Sequence, residues 1–159
     1  MKRMIAAAAV AALAACSPQP ATQAGSAPTV ASAHPVSGLP VVPLTVATPQ
    51  GSHTFQVEVA RSAEEQAQGL MFRTKLGPDE GMIFPRQPND VPSFWMKNTP
   101  LPLDIIFIGP DRRVLNIAAR TTPYSLASVG AVGLSSAVLE IPGGRAAELG
   151  IGPGARVSW

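Results

Sequence analysis

Residues 53–60 read His-Thr-Phe-Gln-Val-Glu-Val-Ala, an alternation that puts Phe55, Val57 and Val59 on one side and Thr54, Gln56 and Glu58 on the other. A period of two marks a half-buried strand. The apolar run Leu44 to Thr48, followed by the turn Pro49-Gln50-Gly51-Ser52, predicts its hairpin partner. The pattern then changes. Ser62-Ala63-Glu64-Glu65 has the spacing of a capping box, with Ser62 as N-cap and Glu65 reaching back to it, so a helix opens here. Gly69 is expected to end it or to lie close to its end.

Beyond Gly69 the apolar blocks are short and set apart by prolines and glycines. Gly81 to Phe84 is one, stopped by Pro85. Val91 to Lys97 predicts a strand that Pro92 restricts to a strand start or a sheet edge. Asn98 to Pro102 reads as a loop, and Asp104 to Ile108 as a strand that is apolar after its first residue. Further strands are expected at Arg113 to Ala119, Ser135 to Ile141 and Ala155 to Trp159, with residues 120–133 as loop. Pro142-Gly143-Gly144 leads into a short helix, about Arg145 to Leu149, closed by Gly150. Strands dominate and helices are insertions between them. The predicted class is α+β: a small β-rich domain with a strongly curved mixed sheet or open barrel of about seven strands and two short helices.

The first third of the chain follows other rules. Met1-Lys2-Arg3 is a basic start, and Met4 to Ala15 is an alanine-rich apolar run. Its length and flanks match an export signal and are short for a bilayer span. The signal ends in Leu13-Ala14-Ala15-Cys16, which closely resembles a lipobox, so Cys16 is expected to carry lipid at the first mature position. Acyl chains contribute about 0.8 kcal/mol per buried methylene, and several chains together anchor stably. Ser17 stands where an aspartate would favour the inner membrane, which tips the expectation toward the outer one. Ser17 to about Pro43 has no charge and is rich in Pro, Ala, Ser, Thr and Gly, so it reads as a disordered tether in which His34 is solvated. The expected organisation is a signal at 1–15, a lipidated, tethered stretch at 16–43 and one domain at 44–159.

Charge and cysteine count exclude several classes. The chain is formally +2, and Lys2 and Arg3 supply that excess, since the remaining ten basic and ten acidic residues cancel. No basic stripe remains to favour nucleic acid. Cys16 is the single cysteine, so the domain holds neither a disulfide nor a thiol nucleophile.

Three blocks carry a family resemblance: "GLMFRTKLGPDEGMIFP" (Gly69–Pro85), "SFWMKNTPLPLDIIFI" (Ser93–Ile108) and "VLEIPGGRAAELGIGPGARV" (Val138–Val157). In order and spacing the chain from about residue 44 to its end resembles the bacterial and archaeal domain of unknown function 192 family. The family usually closes with a "GD" step, where this chain has Gly154-Ala155. The resemblance implies a fold and a set of motif positions, and no reaction.

Within those blocks, charged and polar residues sit among apolar ones: Arg73, Lys97, Asn98, Asp104 and Glu140, with Trp95 beside them. An unpaired buried charge is costly, so each acid needs a partner or water. Asp104 is expected near Lys97 or Arg73, and Glu140 near either base. Two arrangements satisfy this. The charges form internal clamps at strand ends, or Arg73, Lys97 and Asn98 present donors in a pocket beside Trp95, oriented by Asp104 and Glu140. The second suits a small anionic or polyhydroxylated ligand. Asp104 and Glu140 as a carboxylate pair acting on an envelope glycan is a further alternative, as is an adaptor with no ligand. Met71, Met82 and Met96 each adjoin an aromatic residue; thioethers can hold Cu(I), but core packing explains them as well, and neither metal nor cofactor is expected.

Overall fold

In the computed structural model the described residues are 32–159. The leader, Cys16, Ser17 and the tether up to residue 31 lie outside them. The strands are β1 (Ser32–Ala33), β2 (Pro40–Thr48), β3 (Gly51–Val59), β4 (Glu80–Asp90), β5 (Ser93–Phe94), β6 (Leu103–Ile108), β7 (Val114–Ala118), β8 (Val129–Gly130), β9 (Ser135–Pro142) and β10 (Arg156–Ser158). The helices are α1 (Ala63–Gln68) and α2 (Arg145–Glu148). Among the described residues, eight strands form one mixed sheet in the order β1-β2-β3-β4-β9-β6-β7, with β10 pairing β2, and β5 with β8 forms a separate two-stranded ladder. The sheet is open rather than closed into a barrel.

The hairpin of β2 and β3 pairs antiparallel from Val41↔Glu58 to Thr48↔Gly51. β3 and β4 run parallel, so the chain must cross over between them, and α1 is in that crossover. The capping box is present in both directions: the Ser62 hydroxyl accepts from Glu65 N, and the Glu65 carboxylate accepts from Ser62 N at 2.8 Å.

Four elements depart from the sequence expectation; one is β8, which lies within the stretch 120–133 expected as loop and pairs with β5. Residues 32–43 form β1, a turn and the first half of β2, where their composition suggests tether. Pro43 is tolerated in β2 because it falls between the stretch paired to β1 (Pro40, Val41) and the stretch paired to β10 (Thr45–Ala47). β4 likewise runs through Pro85, since pairing with β3 has already stopped at Ile83 and the register against β9 shifts after Pro85. The strand expected at Val91 to Lys97 shrinks to Ser93–Phe94. Met96 N turns aside to Ser125 O at 2.9 Å, and Thr99 N closes a turn on Met96 O at 3.1 Å.

The sheet buries a different core on each face. One contains Leu44, Phe55, Val57, Ile83, Ile106, Ile108, Leu139 and Ile141, with Ala146 of α2. The other contains Met82, Phe84, Met96, Leu103, Ile105, Phe107 and Val138, with Leu70 following α1. Met82 and Met96 are thus core residues. Gly81 lets β4 lie close against β9, because a Cβ there would run into the Glu140 carbonyl oxygen.

Candidate functional site

Register decides where the two central acids go. Asp104 is opposite Ile141, and Glu140 is opposite Ile105 and Met82. Directly opposed residues share a face. Asp104 therefore lies on the Ile106 and Ile141 face, and Glu140 on the Met82 and Ile105 face. The sheet stands between the two acids, so they do not act as a pair on one substrate.

Asp104 is fully buried, and its ligands are main-chain donors. Its Oδ1 accepts from Arg120 N at 2.7 Å and Gly144 N at 2.9 Å, and its Oδ2 accepts from Ala146 N at 2.8 Å. One carboxylate thereby ties the start of β6 to the loop at residue 120 and to the first turn of α2. Gly144 has φ 95°, and a Cβ there would meet the Arg120 guanidinium, which lies against it. Pro142-Gly143-Gly144 is the backbone half of this clamp. The expected contact of Asp104 with Lys97 or Arg73 is replaced by these N–H groups.

Arg73 is committed elsewhere. Its Nη2 donates to both oxygens of Glu58, at 2.8 and 2.6 Å, and lies 3.4 Å from His34 Nδ1. Ser37 donates its hydroxyl to the same Glu58 carboxylate. Glu58 sits at an outward position of the β3 alternation yet is buried, because Arg73 and the segment at 34–37 cover it. His34 is part of this cover rather than a solvated tether residue.

Lys97 places its ammonium 5.2 Å from the centre of the Trp95 ring. Asn98 is in a left-handed turn, φ 54°, with its carbonyl accepting from Phe72 N at 2.7 Å and its amide 3.9 Å from Met71 Sδ. Lys97 and Asn98 therefore hold Trp95 and the loop around Phe72 in place.

Glu140 has no such partner. Among the described residues no side-chain or main-chain group hydrogen-bonds its carboxyl. The residue is 5% exposed, and that opening is into a cleft of about 300 Å³. The walls are Gln66, Gln68 and Met71 from α1 and the loop after it, Phe84 and Arg86 from β4, and Ser93, Phe94, Trp95 and Thr99 from the Ser93–Thr99 segment. Phe94 is packed edge-on against Phe84, 5.2 Å between centres, which fixes that wall. Burial pushes the Glu140 carboxyl up to about 8. At neutral pH it is mostly the uncharged acid, with one O–H to donate and oxygens to accept.

The cleft has balanced walls. Arg86 is neutralised by Asp90, with Nε donating to Oδ1 at 3.0 Å, and its Nη1 donates to Gln66 Oε1 at 2.9 Å. A larger groove of about 520 Å³ lies across Gln68, Gly69 and Met71, with Arg73 in its wall, but that arginine is already neutralised by Glu58. Of the six candidate residues, Trp95 and Glu140 meet in one cleft, while Lys97 and Asn98 support its rim. Arg73 and Asp104 belong to separate clamps. The sequence reading missed Gln66, Gln68 and Phe94 as cleft walls. Polar Gln66 in a helix that packs on the sheet is the signal that points to them.

Comparison with known proteins finds a family model and solved structures that this chain resembles. The model of the DUF192 family, described as Uncharacterized ACR, matches residues 45–159. The chain is similar to a crystallised protein of unknown function from Novosphingobium aromaticivorans, with 58% identity and TM-score 0.80 over 81% of this chain and 92% of that one. It is also similar to a candidate transcription regulator from Sinorhizobium meliloti, with 35% identity and TM-score 0.71 over 73% of this chain and 91% of that one. No curated protein matches the chain.

Proposed function

We propose, since the chain belongs to the domain of unknown function 192 family and that family brings a fold without a reaction, that its function lies in the Glu140 cleft: binding of a small, uncharged, polyhydroxylated ligand. The observation that carries this reading is the Glu140 carboxyl, nearly fully buried, without a hydrogen-bond partner among the described residues, and facing open space. A carboxyl set this deep is poorly hydrated, so it gains from a partner that reaches it through the cleft. The neutral acid can both donate to and accept from a hydroxyl. Trp95 gives a flat apolar face at the mouth, and Gln68 adds an amide. An anionic ligand has less to attract it, because Arg73 and Arg86 are already paired.

Thermal-shift titration with neutral sugars and the matching sugar acids tests the reading. A neutral sugar at about 100 times its Kd should add about 2.7 kcal/mol, and Trp95→Ala and Glu140→Gln should each weaken it. Binding of sugar acids alone would move the site to a cationic surface and overturn the proposal.

We further propose that the domain lies on the periplasmic side of the cell envelope, held by lipid on Cys16. This placement is supported by the lipobox-like Leu13-Ala14-Ala15-Cys16 and the uncharged stretch that follows. Cys16→Ser should abolish acylation and move the protein from the membrane fraction to the soluble one. An unchanged membrane fraction would refute the anchor.

A further inference from the structure

Three aromatic residues stand exposed on or beside the segment that lines the cleft, Phe72 at 66%, Trp95 at 49% and Tyr124 at 62%; Trp95 is a cleft wall, and the other two sit on loops tied to that segment. Their loops share one support, the 95–99 segment. Phe72 N donates to Asn98 O at 2.7 Å, Tyr124 N donates to Thr99 O at 3.1 Å, and Met96 N donates to Ser125 O at 2.9 Å. The support also lines the cleft, through Trp95 and Thr99.

The backbone at these positions is costly. Phe72 and Tyr124 have φ of 63° and 61°, and Asn98 between them has 54°. Left-handed backbone crowds Cβ against the neighbouring carbonyl oxygen, so a residue with a side chain adopts it at a cost. Asparagine tolerates it through its short polar side chain; phenylalanine and tyrosine do not. Burial of the rings does not offset this cost, since both are mostly exposed. Strain of this kind, held by hydrogen bonds to a segment that lines an open cleft, points to a use for the rings where they stand.

We propose that Phe72, Trp95 and Tyr124 are stacking platforms for an extended polyhydroxylated chain, an oligosaccharide, of which one unit enters the Glu140 cleft. This rests on the reading of that cleft as a sugar site and enlarges its ligand from one unit to several. The cleft is at the small end of ligand pockets, so a longer ligand must continue over the rim. Flat rings separated by main-chain polar groups match the alternating apolar faces and hydroxyl edges of sugar rings. Arg86 in the wall is paired with Asp90, and the Lys97 ammonium at the rim lies over the Trp95 ring, which favours a neutral chain over a charged peptide.

The test follows Trp95 fluorescence during titration with N-acetylglucosamine and glucose oligomers of one to six units. Affinity should rise with length up to about four units. Phe72→Gly and Tyr124→Gly remove the ring while glycine accepts the left-handed backbone, so the fold is retained. Each should weaken the tetramer by roughly three- to tenfold and leave the single sugar unchanged, whereas Glu140→Gln should weaken every length. Length-independent affinity, or glycine variants that bind the tetramer normally, would overturn the rim while leaving the cleft reading in place. Failure of every sugar, together with length-dependent binding of uncharged linear peptides run in parallel, would overturn both.

Discussion

Asp104→Asn is expected to destabilise the domain by about 3 kcal/mol, since hydrogen bonds to a charged acceptor are each worth about 1.5–3 kcal/mol. The reason is specific. Three main-chain N–H groups, from Arg120, Gly144 and Ala146, converge on the two oxygens of one buried carboxylate. Asparagine keeps the shape but exchanges one acceptor oxygen for an NH₂ group. That group must confront either Ala146 N–H alone or both Arg120 and Gly144 N–H. At least one of these donors is left facing another donor in place of its acceptor. The expected readout is a fall of roughly 10 °C in melting temperature, with a matching drop in urea midpoint. A loss under about 0.5 kcal/mol, the size of an ordinary surface substitution, would show that the clamp does not hold the fold.

The second large effect depends on pH. Folding holds the Glu140 carboxyl up at about 8 by burial, whereas in the unfolded chain it has its ordinary value near 4.5. Between those values the folded state keeps a proton that the unfolded state has released. Stability contributed by this group is therefore complete below pH 4.5, falls as pH rises and levels off above about 8. The steepest slope is about 1.4 kcal/mol per pH unit. Glu140→Gln mimics the neutral acid at every pH. It should match the parent near pH 4.5 and be the more stable protein, by up to about 5 kcal/mol, at pH 8 and above. Urea midpoints measured from pH 4 to 9 read this directly. Parallel profiles for parent and variant would mean that Glu140 is ionised in the fold and held by a partner.

Local signals in the sequence predicted local structure well. Ser62 and Glu65 sit at the one spacing that caps a helix in both directions, and the β2–β3 hairpin follows from alternation and a turn. The charges embedded in apolar blocks were correctly marked as needing an explanation. Which explanation applied to each was not legible, because it depends on pairing between strands far apart in the chain. A register one residue different between β6 and β9 would have put Asp104 and Glu140 on one face. Glu58 was hidden for a related reason. Its alternation places it outward, and what buries it, Arg73 and the Ser37 hydroxyl, comes from beyond α1 and from a stretch whose composition reads as tether. The aromatic rim was invisible for a third reason: the left-handed backbone of Phe72 and Tyr124 has no residue-type signature, since neither position is a glycine or asparagine.

Gly81 bears on how the cleft can change over time. With no Cβ, it lets the β4 main chain rest directly against the Glu140 carbonyl, and Glu140 is hydrogen-bonded into strands on both sides. The depth of the acid is thus set by backbone against backbone, not by the packing of side chains that substitution could trim by a methyl group at a time. Exchange of loop residues at the rim can therefore reshape the mouth of the cleft, while the acid beneath them stays at a depth that gradual mutation of side chains does not move.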